Sequence, residues 1–514
     1  MLKNKVILST ITLKEKYIPL GLYNLKAYFQ TYRELKNKIL IDIDIIDYKK
    51  YVYYQKDYWP LLDKKTLFNF ASCFVRKKPK IIGFSCFIWN MNSVLKLCRL
   101  IKNLDSKIII LLGGPEVSFD SERLLKKSPY IDMVIRDEGE ITFSELLRSI
   151  FLNKLDLSEI HGLIYRIKNK IIINPIRTPL DLNKIPSPYL NGLINPNKFN
   201  NLTMSIETSR GCPFNCAYCS YSIRGNHLLR FFPTSRVKKE LTYLLSRKVG
   251  NLWLIDDNFN INPQRAIEIL RHINKYKLIN TKIDIFINAS MWPINDKLIK
   301  LLKKANIRSS VGIQSINKKA LLIINRKNNI PVLERNLKKF DHYKLDYILQ
   351  FIAALPGDSY KDLKKNIDWV SEFNPDQIQL FLLRLIRGTD LYRNAKQLNL
   401  RFKHRYLQYQ SYVKETNEIK KKDMVKVKKL INSIELLYNM KLLKNTLFFL
   451  KKYHFIKFSD LLEDWGCVVK IIILNKQYLS KIQAEFIKYV CNKYKIKISS
   501  VVIEKLLKKD LKIF

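Results

Sequence analysis

The chain has 514 residues, of which 47 % are hydrophobic and 12 % aromatic. This length exceeds one ordinary domain, and the apolar content excludes disorder as the dominant state, so we expect two to four folded domains. The longest uncharged stretch, residues 81–95, is shorter than the roughly 18–20 apolar residues of a membrane span. Residues 1–16 contain no small-residue cleavage site, so they predict a first strand rather than a signal peptide, in a cytoplasmic protein.

The net charge is strongly positive, because 92 Lys and Arg residues stand against 45 Asp and Glu residues, giving +47. Such an excess is the footprint of a nucleic-acid or anionic-surface binder. Here it runs through every segment and accompanies abundant Ile and Asn, the pattern of an AT-rich coding sequence. We therefore favour compositional bias, and an RNA-binding or RNA-modifying protein stays as the alternative from a different functional class.

Five β-like runs separated by amphipathic segments occupy residues 1–150, at 5–10, 39–48, 80–89, 107–114 and 131–140. This alternation predicts a doubly wound α/β sheet with a ligand crevice at the carboxyl ends of its strands. Ser85 follows the third run, and Gly113 and Gly114 end the fourth. The absence of a GxGxxG motif argues against a dinucleotide. A glycine pair there either admits a ligand close to the backbone or forms an ordinary strand-to-helix turn.

Residues 151–200 are rich in Pro, Asn and Gly, and they predict a linker that contains a short hairpin at 162–173. Strand-like runs then alternate with helical segments again, at 202–208, 251–257, 282–290, 307–315, 345–357 and 376–389. Six strands with five crossovers predict a parallel, barrel-like α/β domain over residues 201–392. Residues 393–514 have helical periodicity without strand alternation, so they predict an α-helical C-terminal extension.

The eight cysteines fall into two groups. Three of them lie in one short segment, SRGCPFNCAYCS, as Cys212, Cys216 and Cys219, and the scattered ones read as small buried hydrophobes: Cys73, Cys86, Cys98, Cys467 and Cys491. A disulfide framework does not suit a long chain with one tight, odd-numbered cluster. The choice is therefore between zinc and iron–sulfur.

Zinc usually takes four ligands from paired Cys or His sets, and here the nearest histidine, His227, has no partner at finger spacing. Three thiolates on one loop instead suit a [4Fe–4S] cluster, since they hold three irons and leave the fourth open. The open iron is a place where a cofactor or substrate can chelate. The spacing favours the iron–sulfur cluster.

The C-x₃-C-x₂-C loop, with Tyr218 before its last cysteine, resembles the signature of the radical S-adenosylmethionine (SAM) superfamily. In that superfamily the open iron binds the amino and carboxylate groups of SAM. One electron from the cluster then cleaves SAM to methionine and a 5′-deoxyadenosyl radical. The resemblance implies that Cys212, Cys216 and Cys219 ligate the cluster, that Tyr218 contacts SAM, and that residues 201–392 form a partial (β/α)₆ barrel.

Sites in such barrels lie at the carboxyl ends of the strands. The residues there resemble the positions that hold the methionine and ribose of SAM in this superfamily: Asp256, Asp257, Asn258, Ser290, Gln314 and Ser315. The Gly-Gly-Glu form of the second-strand motif is absent, so it stays open which aspartate faces SAM. Two adjacent aspartates can also form a helix-capping turn. The remaining residues that perform catalysis are not assigned.

The front domain resembles the cobalamin-binding domain that precedes many radical SAM cores. The resemblance implies that Ser85, Gly113 and Gly114 make room for the nucleotide tail of cobalamin. Asp137 stands where these chains usually have a glycine, a departure that affects the local turn. No histidine occurs before His161, so this domain cannot place a histidine on cobalt, and we expect base-off cobalamin.

The combined cofactors imply the activity. In this family the radical abstracts hydrogen from an unactivated carbon and methylcobalamin delivers the methyl group. The resemblance therefore implies a cobalamin-dependent radical SAM C-methyltransferase, with ring formation or rearrangement as the alternative chemistry. We expect a small-molecule substrate and an electron donor such as flavodoxin or ferredoxin, and we expect neither a nucleic-acid partner nor a membrane span. The helical tail resembles the extension of one radical SAM subgroup, and no chemistry is assigned to it.

Overall fold

The computed structural model describes residues 4–12, 17–47, 52–53, 61–199, 203–222, 228–247, 249–277, 283–290, 294–402, 410–468 and 476–511. These residues form an N-terminal α/β layer, a central parallel sheet with helices on one face, and a mainly helical C-terminal region. Within these ranges, no helix has both the length and the apolar content that crossing a membrane requires.

The first sheet has seven strands among the described residues. In spatial order these strands are Ile39–Asp47 (β2), Asn4–Thr12 (β1), Ile81–Ser85 (β5), Ile109–Gly113 (β6), Met133–Ile135 (β7), Leu163–Ile167 (β8) and Lys170–Ile173 (β9). A separate two-stranded pair joins Val52–Tyr53 (β3) to Leu61–Leu62 (β4). Strands β2, β1, β5, β6 and β7 run parallel, so their carboxyl ends meet at one edge.

Helices cover both faces of this sheet: Leu20–Phe29 (α1), Arg33–Lys36 (α2), Lys64–Arg76 (α3), Met91–Leu104 (α4), Ser121–Lys127 (α5) and Glu140–Leu152 (α6). Separate apolar clusters lie on the two faces, one around Leu97 and Phe84 and the other around Leu146 and Leu111. Consecutive residues of a strand contribute to different clusters because their side chains point to opposite faces of the sheet. The predicted doubly wound fold of this layer is confirmed.

The hairpin predicted at residues 162–173 is present as β8 and β9. Strand β8 pairs antiparallel with β7. The hairpin therefore extends the first sheet beyond residue 150, where the sequence predicted the domain to end.

The central sheet has six parallel strands among the described residues, in the order Thr203–Ile206 (β10), Asn251–Leu254 (β13), Asp284–Ala289 (β14), Ile307–Gln314 (β15), Tyr347–Ala353 (β16) and Gln377–Leu382 (β17). A short antiparallel pair, Ser209–Arg210 (β11) and Arg230–Phe231 (β12), follows β10. The helices between the strands are Thr234–Leu245 (α7), Pro263–Lys277 (α8), Asp296–Lys304 (α9), Lys318–Ile323 (α10), Ile330–His342 (α11) and Tyr360–Val370 (α12).

The two faces of the central sheet differ in polarity. Ile285 and Ile287 on β14 belong to the apolar core that the helices cover. The alternate residues Phe286 and Asn288 are half-buried on the opposite face. On that face Gln350 of β16 donates to Gln379 of β17 at 2.9 Å. The open face therefore offers polar groups, as a binding surface requires.

The C-terminal region corrects one expectation. Residues 393–514 were predicted to lack strands, but Arg401–Phe402 (β19) and Gln410–Glu415 (β20) join Arg384–Ile386 (β18) in a three-stranded sheet. Ser411 and Val413 on β20 are buried, with less buried residues between them, which is the period of a strand. The segment is too short for this alternation to stand out beside the long helical pattern around it.

The rest of this region is helical, as predicted. Its helices are Asp390–Arg393 (α13), Lys421–Ser433 (α14), a π-helical segment Ile434–Asn439, Lys444–His454 (α15), Phe458–Val468 (α16), Lys476–Tyr494 (α17) and Ser500–Leu511 (α18). Leu430, Leu437 and Phe458 belong to the same apolar core as the central sheet. Asp368 on α12 accepts a hydrogen bond from the backbone of Ser459 at 2.8 Å. The helices are thus packed onto the central domain.

Candidate functional site

The cysteine loop leaves the sheet at a position where only glycine fits. Gly211 has a φ of +93°, and a Cβ atom at this residue would overlap the carbonyl oxygen of Leu228. The left-handed backbone and the close approach both require a residue without a side chain. The turn at Gly211 directly follows β11 and presents Cys212 as the next residue.

Backbone contacts hold the loop on several sides. Ala217 donates to the carbonyl of Ile324 at 2.9 Å, and its own carbonyl accepts from Leu391 at 2.9 Å. The side chain of Asn325 donates to the carbonyl of Asn215 at 2.7 Å. These bonds attach the loop to the turn after α10 and to α13, so its thiol groups are fixed by the central domain rather than by the loop alone.

The three thiol groups lie in a buried environment. Cys216 is buried, and Cys212 and Cys219 are half-buried. Burial raises the pKa of Cys219 to about 11 and also raises the pKa of Cys212, and the carboxylate of Asp257 adds to both increases. Thiols in such a place become thiolates when a positively charged metal group binds them. The donor set therefore fits a cluster in which three irons each take one thiolate and the fourth iron is left open.

Arg326 faces these thiols, and sequence reasoning missed it. Its Nη1 lies 3.6 Å from Sγ of Cys216, and its Nη2 donates to the carbonyl of Gly312 at 2.6 Å. Its Nε donates to Asn328 at 3.3 Å. A lone arginine after a short helix carries no local signal, because its position beside Cys216 depends on how α10 packs against the cysteine loop.

Asp256 and Asp257 point to different places. The buried carboxylate of Asp256 accepts hydrogen bonds from the backbone of Thr208 at 2.7 Å and of Ser209 at 2.8 Å. Desolvation by burial raises the pKa of Asp256 to about 6. Asp257 instead lies close enough to Cys212 and Cys219 to influence their ionisation. Asp257 is therefore the aspartate on the side of the cysteine loop.

Asn258 and Ser290 lie at neighbouring strand ends. Asn258 is buried, and its Oδ1 has no hydrogen-bond partner within the described part of the chain. The backbone of Ser290 exchanges two hydrogen bonds with the side chain of Asn260, at 2.7 and 2.8 Å. An unpaired buried acceptor is the kind of group that a ligand satisfies. Asn260, which was not singled out from the sequence, fixes the position of Ser290.

Gln314 and Ser315 follow β15 and have different surroundings. Gln314 is buried with a φ of +72°, at a register shift between β15 and β16, so a bulge turns its side chain out of the strand pattern. The hydroxyl of Ser315 is completely buried and lies 3.3 Å from Oδ1 of Asp358 and 3.5 Å from Oδ1 of Asn366. Ser315 thus belongs to a buried hydrogen-bond network within the protein.

In the first sheet, Ser85 and Gly113 are register partners at the carboxyl ends of β5 and β6. A Cβ atom on Gly113 would have only the carbonyl oxygen of Ile135 within 4 Å, at 3.9 Å, so the space beside it is open. Gly114 has a φ of +96°, and a Cβ there would lie 2.8 Å from the carbonyl oxygen of Cys86. Gly114 is required by the protein's own turn, and Gly113 borders the crevice.

The departure at Asp137 has a simple structural result. Asp137 has a φ of +56°, the left-handed conformation that glycine adopts freely and aspartate tolerates. Its backbone N–H donates to the hydroxyl of Ser118 at 3.1 Å. Asp137 therefore preserves the turn after β7. On the loop after β5, the rings of Phe87 and Trp89 stack with centroids 4.5 Å apart.

The loops at the carboxyl ends of the two sheets contact each other. Asp120, after β6, forms an ion pair with Arg387 at 3.3 Å. Glu138, after β7, interacts with Arg210 beside the cysteine loop and accepts a hydrogen bond from Arg230 at 3.1 Å. These contacts therefore connect the loops that border the crevice of the first sheet to the segment from which the cysteine loop begins.

Two family models match the chain. Residues 206–370 match the radical SAM superfamily, and residues 8–147 match the B12 binding domain. The chain is 28 % identical over 351 residues to an uncharacterised methyltransferase of Pyrococcus horikoshii, covering 66 % of this chain and 74 % of the relative. It is 23 % identical over 329 residues to the cobalamin-dependent radical SAM methyltransferase TokK of Streptomyces tokunonensis, covering 61 % of this chain and 48 % of the relative.

Among solved structures, the fold is similar to that of the cobalamin-dependent S-adenosylmethionine radical enzyme OxsB with aqua-cobalamin and S-adenosylmethionine bound. The TM-score is 0.67 at 15 % identity, over 99 % of this chain and 83 % of that chain. The similarity to OxsB confirms the predicted fold class. The two family models confirm the predicted radical SAM and B12-binding domains, and with them the radical SAM enzyme class and the predicted cofactors, namely a [4Fe–4S] cluster, SAM and cobalamin. The chain spans about half the length of TokK.

Proposed function

The chain belongs to the radical SAM superfamily and carries a B12-binding domain, and on this premise we propose that it is a cobalamin-dependent methyltransferase acting on a small molecule. When bound, the cluster and SAM supply a 5′-deoxyadenosyl radical, and cobalamin supplies the methyl group. The observation that carries the proposal is the contact between the two strand edges, through Asp120 with Arg387 and Glu138 with Arg210. Methyl transfer needs both cofactors near one substrate carbon.

In this proposal the cysteine loop holds the cluster through Cys212, Cys216 and Cys219. Arg326 places a positive charge 3.6 Å from Sγ of Cys216, where it stabilises the added electron of a reduced cluster and attracts the carboxylate of SAM. Asp257 lies on the same side and suits the amino group of SAM. The arrangement thus complements both charged groups of the methionine moiety.

The other SAM contacts are proposed on the strand ends. Asn258 offers an unpaired buried acceptor, and Ser290 and Gln314 lie at the ends of the next two strands. Tyr218 is partly buried against the apolar cluster that includes Leu391, and its hydroxyl lies near Cys216 and Arg326. Asp256 and Ser315 are proposed to stabilise these positions, because their side chains are hydrogen bonded inside the protein.

Cobalamin is proposed to bind at Ser85, Gly113 and Gly114. The open space beside Gly113 admits the nucleotide tail, and the backbone turn at Gly114 is held by the protein itself. No histidine precedes His161 in the chain, so the lower face of cobalt receives no imidazole from this domain. The half-buried Phe87–Trp89 pair lines the same crevice and excludes water.

The proposal extends to partners and location. A [4Fe–4S] cluster must receive one electron for each SAM cleaved, which an electron donor such as flavodoxin or ferredoxin supplies in the cytoplasm. The methyl acceptor is a small molecule that enters beside the polar open face of the central sheet. Methyl transfer is favoured over ring formation because the relatives described above are named methyltransferases.

The experiment compares two products of SAM. Methyl transfer through cobalamin leaves S-adenosylhomocysteine, and radical formation leaves 5′-deoxyadenosine. We expect the reduced, cluster-loaded chain to form S-adenosylhomocysteine only after cobalamin is added, while 5′-deoxyadenosine forms with or without cobalamin. Formation of 5′-deoxyadenosine alone in the cobalamin-loaded protein would favour a rearrangement or ring-forming enzyme. Tight, salt-dependent RNA retention with no SAM product would support the RNA-binding alternative.

A further inference from the structure

A group of ionised side chains lies between the first domain and the cysteine loop. We call it the junction cluster; its members are Glu138, Glu140, Glu207, Arg210 and Arg230. The side chains of Arg210 and Glu140 are 12 % and 6 % exposed. Three carboxylates and two guanidinium groups leave one unit of negative charge in a largely buried place, so the geometry of their pairing has to be good.

Arg210 is the centre of the junction cluster. Its Nη2 lies 2.7 Å from Oε1 of Glu140 and 2.9 Å from Oε2 of Glu207, and its Nη1 lies 3.8 Å from Oε2 of Glu138. Burial alone would lower the pKa of Arg210, but the three carboxylates raise it well above its ordinary value. A planar guanidinium with five donors can serve several carboxylates at once, which a lysine cannot do.

Arg230 closes the other side of the junction cluster. It is the register partner of Arg210 in the β11–β12 pair. Its Nη1 donates to Oε2 of Glu138 at 3.1 Å, and the same carboxylate oxygen accepts from the backbone of Leu180 at 3.2 Å. Asn24 on α1 donates to Glu207 at 3.4 Å. Groups from both domains are therefore hydrogen bonded into one network.

The network joins two particular loops. Glu138 lies on the turn between β7 and α6, directly after Asp137, and Glu140 is the first residue of α6, so both lie at the carboxyl edge of the first sheet. Arg210 ends β11 and is separated from Cys212 only by Gly211. A shift of either loop by about one ångström would break contacts to a buried charge. The free-energy cost of breaking such a contact is larger than the stability that an exposed ion pair contributes.

We propose that the junction cluster fixes the distance between the cobalamin site and the iron–sulfur site, with Arg210 as the positioning residue. This inference rests on the proposed function, because it assumes that both cofactors act on one substrate. A buried ionic network contributes little net stability compared with apolar packing but tolerates few alternative arrangements. Such a network therefore suits a junction that keeps the two cofactor sites at one distance from each other.

The test uses Glu140→Ala and Glu140→Gln, since Gln keeps an acceptor for Arg210 and Ala does not. The control is Glu34→Gln, whose carboxylate pairs with Arg148 and Lys154 inside the first domain. The first readout is hydrogen–deuterium exchange of the cofactor-free chain. We expect exchange in residues 136–140 and 207–212 to rise about tenfold in Glu140→Ala, less in Glu140→Gln and not in the control.

The second readout uses the protein loaded with cluster and cobalamin. Electron paramagnetic resonance of cob(II)alamin beside the reduced cluster should show weaker or more scattered magnetic coupling in Glu140→Ala, with iron and cobalamin contents unchanged. Formation of S-adenosylhomocysteine should fall roughly 100-fold, the loss that about 1 Å of misplacement produces. Formation of 5′-deoxyadenosine should stay within about threefold of wild type, because the cluster loop keeps its other contacts.

Unchanged exchange in both loops, or unchanged magnetic coupling in Glu140→Ala, would overturn the positioning role. Equal loss of both SAM products would also overturn it, since this would mean general damage to the cluster site. Failure of wild-type protein to bind cobalamin would contradict the proposed function instead, and the exchange experiment on the cofactor-free chain would still decide whether the junction cluster joins the two loops.

Discussion

The carboxylate of Asp256, which follows β13, accepts the backbone N–H of Thr208, which follows the neighbouring strand β10, at 2.7 Å. It also accepts from the backbone of Ser209 at 2.8 Å. Because the cysteine loop begins three residues later, this buried carboxylate determines how the chain leaves the sheet towards Cys212. Its neighbour Asp257 lies on the side of the cysteines instead.

We therefore predict opposite results for the two aspartates. Asp256→Ala leaves two buried N–H groups without acceptors, which costs about 1–3 kcal/mol for each group. It should lower the unfolding midpoint of the cofactor-free chain in a denaturant titration. Asp257→Ala should keep that midpoint and reduce SAM cleavage in the loaded protein. A large loss of stability in Asp257→Ala with none in Asp256→Ala would contradict this division.

The cysteine loop gives a second prediction. Cys216→Ala removes one of three proposed thiolate ligands, so anaerobically reconstituted protein should lose most of its iron and sulfide. Cys98→Ala is the matched control, because Cys98 is buried in the apolar core of the first domain. Iron and sulfide analysis measures both. Retention of a full cluster in Cys216→Ala would exclude the loop as its site.

The two neighbouring glycines of the first domain allow a test of cobalamin binding. Gly113→Leu should leave the fold intact, because the side chain enters open space, and should weaken hydroxocobalamin binding more than tenfold, the effect of about 1.4 kcal/mol of steric conflict. Gly114→Ala should instead destabilise the domain through its contact with the backbone of Cys86. Absorbance titration and thermal unfolding distinguish them.

The spectrum of bound cobalamin in the wild-type protein should show no histidine on cobalt. Undiminished binding by Gly113→Leu would place the cofactor elsewhere.

A pH effect is expected from Asp358. Burial raises its pKa to about 6 from the ordinary value of 3.8, so the folded protein binds a proton more tightly than the unfolded chain. The free energy of unfolding should then fall as pH rises from about 4 to about 6, by at most about 3 kcal/mol. Asp358→Asn should remove this fall and be more stable than wild type at pH 7.

Asp362, four residues later, provides the control with the opposite sign. Burial would raise its pKa, but hydrogen bonds from Ser359 and Lys365 lower it. Its contribution is present at neutral pH and is lost as pH falls below about 4. Asp362→Asn should therefore be less stable than wild type at pH 7. Denaturant titrations between pH 4 and pH 7 measure both variants, and identical pH profiles for wild type and Asp358→Asn would contradict the account.

Local patterns were sufficient to predict both parallel sheets. Runs such as residues 81–85 and 285–289 alternate with amphipathic helices, and the sequence spacing of three cysteines is itself a chemical signal. The short strand Gln410–Glu415 was missed, because its alternation is confined to a few residues within a long helical pattern. A strand with a long local alternation can be predicted from the sequence alone. A short strand that is stabilised mainly by its pairing partners cannot.

The missing parts of the site have a common cause. Arg326 meets Cys216 across 110 residues of sequence, and Asn260 reaches Ser290 across 30. Neither contact follows a local period, since each is made only when loops from different strands meet at one edge. The direction of Asp256 likewise depends on the turn at Thr208, so adjacent aspartates could not be distinguished before the structure.

The most direct test of the central claim is reductive cleavage of SAM. The anaerobically reconstituted protein, reduced with dithionite and supplied with SAM, should release 5′-deoxyadenosine, measured by liquid chromatography with mass spectrometry. The Cys216→Ala variant treated in the same way should release none above background. An intact [4Fe–4S] cluster in reduced wild-type protein, with no 5′-deoxyadenosine formed, would contradict the account.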